Sequence, residues 1–208
     1  MHTAVAAEVF DVPPEHVDAE MRRQAKVINF GILYGMGVNA LKDALGSDRA
    51  TAQKFLNEYF KKFSGIARYA DYIKEQAASR GYTETLFGRR RYFADIHSVQ
   101  PHIKAAAERM AINAPIQGTQ ADIIKIAMIR ADSYLSTNEK EDSAYLLLQV
   151  HDELVYEIKE NAINKIVSNI IEIMENVLTK KETKGIPLSV AVSVGENWGE
   201  MERREQKI

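Results

Sequence analysis

The sequence contains no cysteine in 208 residues. Disulfide bonds and metal sites built on thiolates are therefore excluded, and a reducing compartment suits the chain. No apolar run approaches the ~20 residues that are needed to span a bilayer. The first residues, MHTAVAAEVFDV, also lack the basic leader of a secretion signal. These absences predict a cytoplasmic protein with no membrane partner.

The chain also lacks a strong excess of either charge. Lysine and arginine total 27 residues against 29 aspartates and glutamates, and the formal net charge is −2. Such a chain has no general attraction for nucleic acid, so any basic binding site must be a local patch. Apolar residues make up 46% of the chain. A chain of 208 residues is long enough to bury roughly 70% of the surface that it exposes when unfolded. Composition therefore allows an ordinary globular protein.

Hydrophobic periodicity predicts that the first half of the chain is almost entirely helical. One helix is expected from Asp18 to Gly35, with Ala25, Ile28 and Ile32 on its apolar side. The segment YTETLFGRRRYF, residues 82–93, has two β-prone arms around a glycine and predicts a short hairpin.

The second half of the chain mixes helices with strands. A helix is predicted over 99–114 and is expected to be interrupted at Pro115, because proline cannot donate a backbone hydrogen bond. The run AYLLLQV and the alternating LVYEIK predict two buried strands of a hairpin with the polar residues HDE at its tip. A helix over 162–180 and a final strand, PLSVAVSV, follow. The predicted fold class is α+β.

Four residues spaced by four mark the helix that begins near Asp18. Arg22, Lys26, Phe30 and Tyr34 lie on one slowly rotating stripe about 18 Å long, because each step of four overshoots a full turn by only ~40°. Arginine and lysine can hold anionic oxygens, and the aromatic rings can pack against a base or a sugar. The stripe therefore fits a nucleoside triphosphate.

The alternative is an amphipathic helix with a solvated basic edge and two aromatic core residues. Gly31 favours the ligand-binding interpretation, since a glycine inside a helix costs ~1 kcal/mol relative to alanine and usually has a reason. At the hairpin tip, Asp152 and Glu153 beside His151 suit a hard divalent cation such as Mg²⁺. A solvated turn is the alternative there, because aspartate is common in turns.

These motifs together resemble a known family. The pattern Arg-x₃-Lys-x₃-Phe-Gly-x₂-Tyr-Gly in residues 22–35 closely resembles the O-helix motif of family A DNA polymerases. QVHDELV, residues 149–155, resembles the palm motif that carries a catalytic carboxylate in that family. Between them, GYTETLFGRRRY and AAERMAINAPIQGTQADIIKIAM follow the family's order. The resemblance covers essentially the whole chain.

The resemblance implies a fingers region over 1–115, helical with the short hairpin, followed by a partial palm over 116–208. It implies that Arg22 and Lys26 bind the triphosphate of a dNTP, and that Lys26 also stabilises or protonates the leaving pyrophosphate. Phe30 would lie under the incoming sugar and Tyr34 near the templating base. His2 would contact the phosphates.

The remaining implied roles concern primer–template DNA and metal. Gln149 and His151 would approach the primer terminus, whereas Arg109, Asn113 and Gln117 would follow the DNA minor groove. Minor-groove acceptors shared by all base pairs suit an enzyme that does not select a sequence.

Asp152, with Glu153 as a weaker candidate, would ligate the catalytic magnesium. The implied reaction is template-directed transfer of a nucleotide to a primer 3′-hydroxyl with two Mg²⁺ ions. An enzyme of this family would be nucleoid-associated in a bacterium, or encoded by a phage.

One element of the family pattern has no counterpart in this sequence. The family's second catalytic aspartate belongs to a strand just before the segment that matches HTA, and nothing like it is found here. We therefore expect a C-terminal polymerase piece that is inactive alone and requires an N-terminal portion carrying that aspartate.

Two alternative functions remain open from the sequence. One is a module that binds dNTP or DNA without catalysis. The other is a single-subunit RNA polymerase fragment, although that group typically has methionine at the position of Phe30 and serine at the position of Glu153.

Overall fold

The structure is a computed structural model that describes residues 2–138 and 143–204. The chain divides into two units, Met1–Gln117 and Gly118–Ile208. The assignment of fingers to 1–115 and palm to 116–208 stays a prediction. The α+β class is confirmed, since helices predominate and the strands of the described residues form small antiparallel sheets. The α-helices are α1 (His2–Val9), α2 (Ala19–Leu33), α3 (Val38–Leu45), α4 (Arg49–Lys62), α5 (Ser64–Arg80), α6 (Pro101–Asn138) and α7 (Ile163–Glu175).

Helix α2 forms where the apolar periodicity predicts it. Asp18 caps its first turn by accepting a hydrogen bond from the backbone of Met21 at 2.8 Å. The predicted apolar side is confirmed: Ala25, Ile28 and Ile32 are buried in a cluster shared with α1, α3 and α4. The opposite side of α2 is therefore left to face solvent.

Helix α3 was not predicted from the sequence. It spans only eight residues between Gly37, its N-cap, and Gly46, whose φ of 59° closes it in the left-handed region. One fully buried side chain, Leu41, anchors it to the apolar cluster. A helix this short has too few residues to display a periodic pattern.

The predicted interruption of the helix at Pro115 is wrong, because α6 runs through this residue without a break. Proline removes one backbone donor, so the preceding turn needs other stabilisation. The carbonyl left without a helical donor is that of Ala111, whereas the hydroxyl of Tyr69 donates to the neighbouring carbonyl of Ile112 at 3.2 Å and so ties this turn to α5. Ala111 and Ala114 on this turn are also buried against α5 and neighbouring residues. Packing thus keeps α6 continuous through a residue that disfavours a helix locally.

The strands form three antiparallel pairs in the described residues. The predicted hairpins near 82–93 and at the HDE motif are confirmed, whereas the last pair includes a strand that was not predicted. The pairs are β1 (Tyr82–Glu84) with β2 (Arg90–Tyr92), β3 (Ala144–Val150) with β4 (Glu153–Ile158), and β5 (Val192–Val194) with β6 (Glu202–Arg204).

Two predictions for the second unit need correction. Strand β3 is not buried throughout, because Tyr145, Leu147 and Leu148 are each about half exposed. Only the other face of the hairpin packs on the cluster around Ala131 and Ile166. A hairpin with one covered face cannot bury both sides of its strands.

The helix predicted over 162–180 ends at Glu175. The guanidinium of Arg130 donates to the carbonyls of Asn176 and Val177, at 3.0 and 3.3 Å, and so satisfies backbone groups past the helix end. The final strand is also shorter than the predicted PLSVAVSV. Among the described residues, no helix is long and apolar enough to cross a membrane.

Replacing Asp48 by alanine is expected to lower the Tm by a few degrees, because Asp48 caps α4 through the backbone N–H of Thr51 at 2.8 Å. Asp48→Asn should retain most of the stability, since asparagine is an equally good cap. Hydrogen bonds from the backbone and hydroxyl of Thr51 hold the pKa of Asp48 below its ordinary value of 3.8.

The charge-dependent part of that cap is therefore complete above the ordinary pKa and is lost as the pH falls through the folded pKa. Thermal denaturation across acidic pH checks this, with Asp48→Asn as the uncharged control. A difference between the wild type and Asp48→Ala that does not shrink as the pH falls below the ordinary pKa of aspartate would contradict the assignment.

Candidate functional site

The four residues of the predicted stripe lie together on the solvent side of α2. Arg22, Lys26, Phe30 and Tyr34 are all exposed, with Phe30 36% and Tyr34 41% accessible. The two rings stack with centroids 6.0 Å apart and an angle of 23° between their planes. The ammonium of Lys26 lies 5.9 Å from the centre of the Phe30 ring. The alternative interpretation, with both aromatics in the core, is therefore wrong.

The cations of the stripe, unlike Arg23 on the same helix, have no acidic partner among residues 2–138 and 143–204. In the described part of the chain, neither Arg22 nor Lys26 forms an ion pair. Arg23, one residue along, binds Glu20, and hydrogen bonds from Arg23 and Gln24 lower the pKa of Glu20 to about 2. The positive charge of Arg23 is thus neutralised within the helix, while that of the stripe is available to an anionic ligand.

A groove of about 700 Å³ opens at the end of the stripe. Tyr34, Gly35 and Arg109 line it together with Arg49 and residues 36–40. The sequence did not point to Arg49, and no local pattern distinguishes it from the other exposed arginines. The groove joins a ring to two guanidinium groups, an arrangement suited to a flat, anionic ligand.

Glycines allow the close packing at this groove. A β-carbon on Gly35 would lie 2.5 Å from Cγ of Arg109, and the φ of Gly35 is 81°. The side chain of Met36 folds back onto Gly31, where a β-carbon would collide with it. The interior glycine of α2, noted in the sequence, therefore has a packing reason.

The predicted DNA-contacting residues of α6 lie at intervals of four. Arg109 and Gln117 are exposed, whereas Asn113 is half-buried. Its Oδ1 atom is fully buried and has no hydrogen-bond partner among the described residues. A buried acceptor without a partner is uncommon in native proteins. Because this atom is covered by protein, a donor from DNA does not reach it in this conformation, and the DNA contact of Asn113 stays a prediction.

The second unit carries the carboxylates of the hairpin tip. His151 and Asp152 form the turn between β3 and β4, and Glu153 begins β4. His151 has a φ of 53°, and its carbonyl accepts a 2.6 Å hydrogen bond from the Nε2 group of Gln149. All four side chains are exposed. The tip therefore presents its polar groups outward, as the sequence predicted.

The described residues do not complete a magnesium site. In residues 2–138 and 143–204, no group of three or more His, Asp or Glu side chains is arranged to hold a metal ion. Asp152 and Glu153 offer oxygen ligands of the kind that Mg²⁺ prefers, but two adjacent exposed carboxylates do not supply its octahedral shell. The side chain of His2, another predicted contact, lies outside the described residues.

The exposed cation–aromatic stripe on α2 is an arrangement suited to a nucleotide ligand, and the hairpin of the second unit presents exposed carboxylates. Residues 1–200 match the sequence profile of DNA polymerase family A. The chain belongs to that family.

Individual relatives agree with this assignment. The chain is 44% identical over 200 residues to DNA polymerase I of Pseudomonas aeruginosa, covering 96% of this chain and 21% of that protein. It is 44% identical over 198 residues to the thermostable DNA polymerase I of Thermus filiformis, covering 95% of this chain and 23% of the relative. The chain thus spans about a fifth of the length of the curated relatives it matches.

A solved structure shares the fold. The POL domain of Pol1 from M. smegmatis, in complex with DNA primer-template and dNTP, superposes with a TM-score of 0.82 at 37% identity. The match covers 90% of this chain and 32% of the M. smegmatis chain.

Proposed function

We propose that this chain is the dNTP- and template-binding part of a template-directed DNA polymerase. The observation that carries the proposal is the stripe on α2, where two cations that pair with no acidic side chain of the described residues precede two stacked, exposed rings. A dNTP has the complementary order of groups, with a triphosphate at one end and a sugar and base at the other. Family membership and the primer-template complex of the M. smegmatis relative support the same assignment.

Each residue of the stripe takes a role that its chemistry allows. The planar fork of Arg22 binds two phosphate oxygens, and Lys26 acts as a point charge on the triphosphate. Because the ammonium of Lys26 lies beside the Phe30 ring, a sugar resting on Phe30 brings its phosphates to Lys26. Lys26 then stabilises or protonates the leaving pyrophosphate. Tyr34 and Arg109, at the groove, contact the templating base and the DNA.

We assign Asp152 to the divalent-metal site of the complete polymerase and propose that the chain alone does not transfer nucleotides. Asp152 lies at an exposed tip, and the described residues bring no cluster of further ligands to it. A metal held by one or two carboxylates is bound weakly and with poor geometry. The partner that completes the site is an N-terminal polymerase portion carrying the second aspartate.

The nucleotide site is tested by titrating the 208-residue chain with dATP and measuring binding by calorimetry. Lys26→Ala is expected to weaken dATP binding by about tenfold or more, as for the loss of a charged hydrogen bond. Arg23→Ala is the matched control, because Arg23 is on the same helix but binds Glu20. We expect its dATP affinity to change less than about twofold.

Deoxyadenosine provides a second control, since it has no phosphate. Its affinity should be equal for the wild type and Lys26→Ala. Equal loss of dATP binding in Lys26→Ala and Arg23→Ala would contradict the assignment, because it would reflect general charge and not a phosphate site.

A further inference from the structure

A buried hydrogen bond links the inner side of α2 to α4. The hydroxyl of Tyr59 donates to Oδ1 of Asn29 at 2.6 Å, across 30 residues of sequence. Asn29 is 1% and Tyr59 3% exposed, so neither group has access to water. Asn29 directly precedes Phe30, one of the two rings of the stripe.

The surroundings of this bond are almost entirely apolar. Asn29 shares its side of α2 with Ala25, Ile28 and Ile32. The Tyr59 ring packs on Phe60 and Phe63, with centroids 5.6 and 4.9 Å away. Burial raises the pKa of Tyr59, which keeps the hydroxyl protonated as a donor. The bond is thus the directional contact within a set of non-directional ones.

We propose that Asn29 and Tyr59 are positioning residues, which fix the rotation of α2 about its own axis and so aim the stripe at its ligand. The proposal rests on the nucleotide-binding function of the stripe. Apolar packing resists large rotations sterically, but its attraction is non-directional and does not by itself select one angle. A hydrogen bond weakens steeply when its geometry is lost.

The geometric effect of losing the bond is large enough to affect binding. Side chains extend about 5–6 Å from the helix axis, so a rotation of about 20° moves their ends by roughly 2 Å. A hydrogen bond to a phosphate oxygen does not survive a displacement of that size, because its donor–acceptor distance is confined to about 2.7–3.2 Å. The cations and rings of the stripe would all shift together, since they belong to one rigid helix.

Three variants separate positioning from stability. Tyr59→Phe keeps the ring and leaves Asn29 buried without its partner, which lowers the Tm. Asn29→Leu combined with Tyr59→Phe replaces both polar groups with apolar ones of similar size and should recover most of the Tm. Ile28→Val, a buried change on the same helix, destabilises the chain without touching the bond.

We expect Tyr59→Phe and the double variant both to bind dATP about tenfold more weakly than the wild type, although the double variant regains its Tm. Ile28→Val should have a lower Tm than the wild type and the same affinity for dATP. Recovery of dATP affinity together with Tm in the double variant would overturn the proposal, because the bond would then be merely structural.

A measurement without nucleotide keeps this proposal distinct from the function of the stripe. The chain has no native cysteine, so Val27→Cys on α2 and Lys61→Cys on α4 give one unique pair of spin labels at exposed positions. The distance distribution from pulsed electron resonance should be narrow in the labelled parent, and shifted or broader in both Tyr59→Phe and the double variant. Unchanged distributions would overturn the proposal.

If the wild type binds no dATP, the proposed function fails, and the spin-label distances still decide whether the bond fixes α2. If dATP binds and Lys26→Ala abolishes that binding while Tyr59→Phe changes neither affinity nor distances, the function stands and the positioning role fails. The dATP titration of the wild type and Lys26→Ala thus tests nucleotide binding by the stripe, and the spin-label distances test the positioning role of the Asn29–Tyr59 bond.

Discussion

Replacing Gly35 by alanine is expected to lower the Tm by about 4–16 °C. Two penalties add at this residue. Its φ of 81° lies in the left-handed region, which costs a residue with a β-carbon about 1 kcal/mol. The new β-carbon would also lie 2.5 Å from Cγ and 3.0 Å from Cδ of Arg109, and such overpacking costs about 1–3 kcal/mol. In a chain of this size, each kcal/mol corresponds to roughly 2–4 °C.

Gly46→Ala is the matched control for the backbone penalty. Gly46 has a φ of 59°, and no atom lies within 4 Å of the position of its β-carbon. Its substitution should therefore lower the Tm by only about 2–4 °C. In an Arg109→Ala background, Gly35→Ala should cost no more than Gly46→Ala does, because the collision is gone. Equal effects of the two glycine substitutions in the wild type would contradict the packing account.

Helices α2 and α4 could be predicted from the sequence because their apolar residues recur with a helical period and an aspartate caps the first turn of each. In α2, for example, Ala25, Ile28 and Ile32 are spaced to cover one side, and Asp18 can close the first turn. In α4, Asp48 caps the first turn, and Lys61 and Lys62 lie in the last turn, where basic residues are favoured. Local sequence and packing agree in these elements, and this agreement is what makes them predictable.

The errors arise where packing between distant segments decides the structure. Pro115 predicts a break, yet the turn before it is held by the burial of Ala111 and Ala114. A hydrogen bond from Tyr69 of α5 to the carbonyl of Ile112 also holds this turn. Strand β3 is apolar enough to look fully buried, but its hairpin covers only one face. Neither the partner of a carbonyl nor the number of covered faces is encoded in a local pattern.

The candidate site also has one part that the local sequence predicts and one part that it does not. The stripe follows from the helical period alone, since its four residues lie on one helix. The groove does not, because Arg49 and Arg109 reach it from α4 and α6. Asn29 was also not predicted, as an asparagine on an apolar helix side gives no indication of the tyrosine that it will meet. Residue roles at the stripe, the α6 track and the hairpin tip remain predictions.

Asp152→Asn is expected to reduce primer extension by on the order of a thousandfold in a complete polymerase. The loss would remove one arm of the charged site that stabilises the transferring phosphoryl group. The suitable background is a chimera in which residues 1–200 of this chain replace the matching fifth of P. aeruginosa DNA polymerase I. The chimera should extend a primer with Mg²⁺ and four dNTPs, whereas the 208-residue chain alone should not.

Glu157→Gln is the control for this experiment, because Glu157 is an exposed carboxylate on the same hairpin, four residues beyond Glu153. Primer extension by that variant should match the chimera. In the isolated chain, Asp152→Asn should leave dATP binding unchanged, because the stripe on α2 supplies the phosphate contacts. Loss of extension without loss of dATP binding would assign Asp152 to the reaction and α2 to recognition. Primer extension by the chain alone that disappears in Asp152→Asn would overturn the requirement for a partner, since the chain would then contain a complete site.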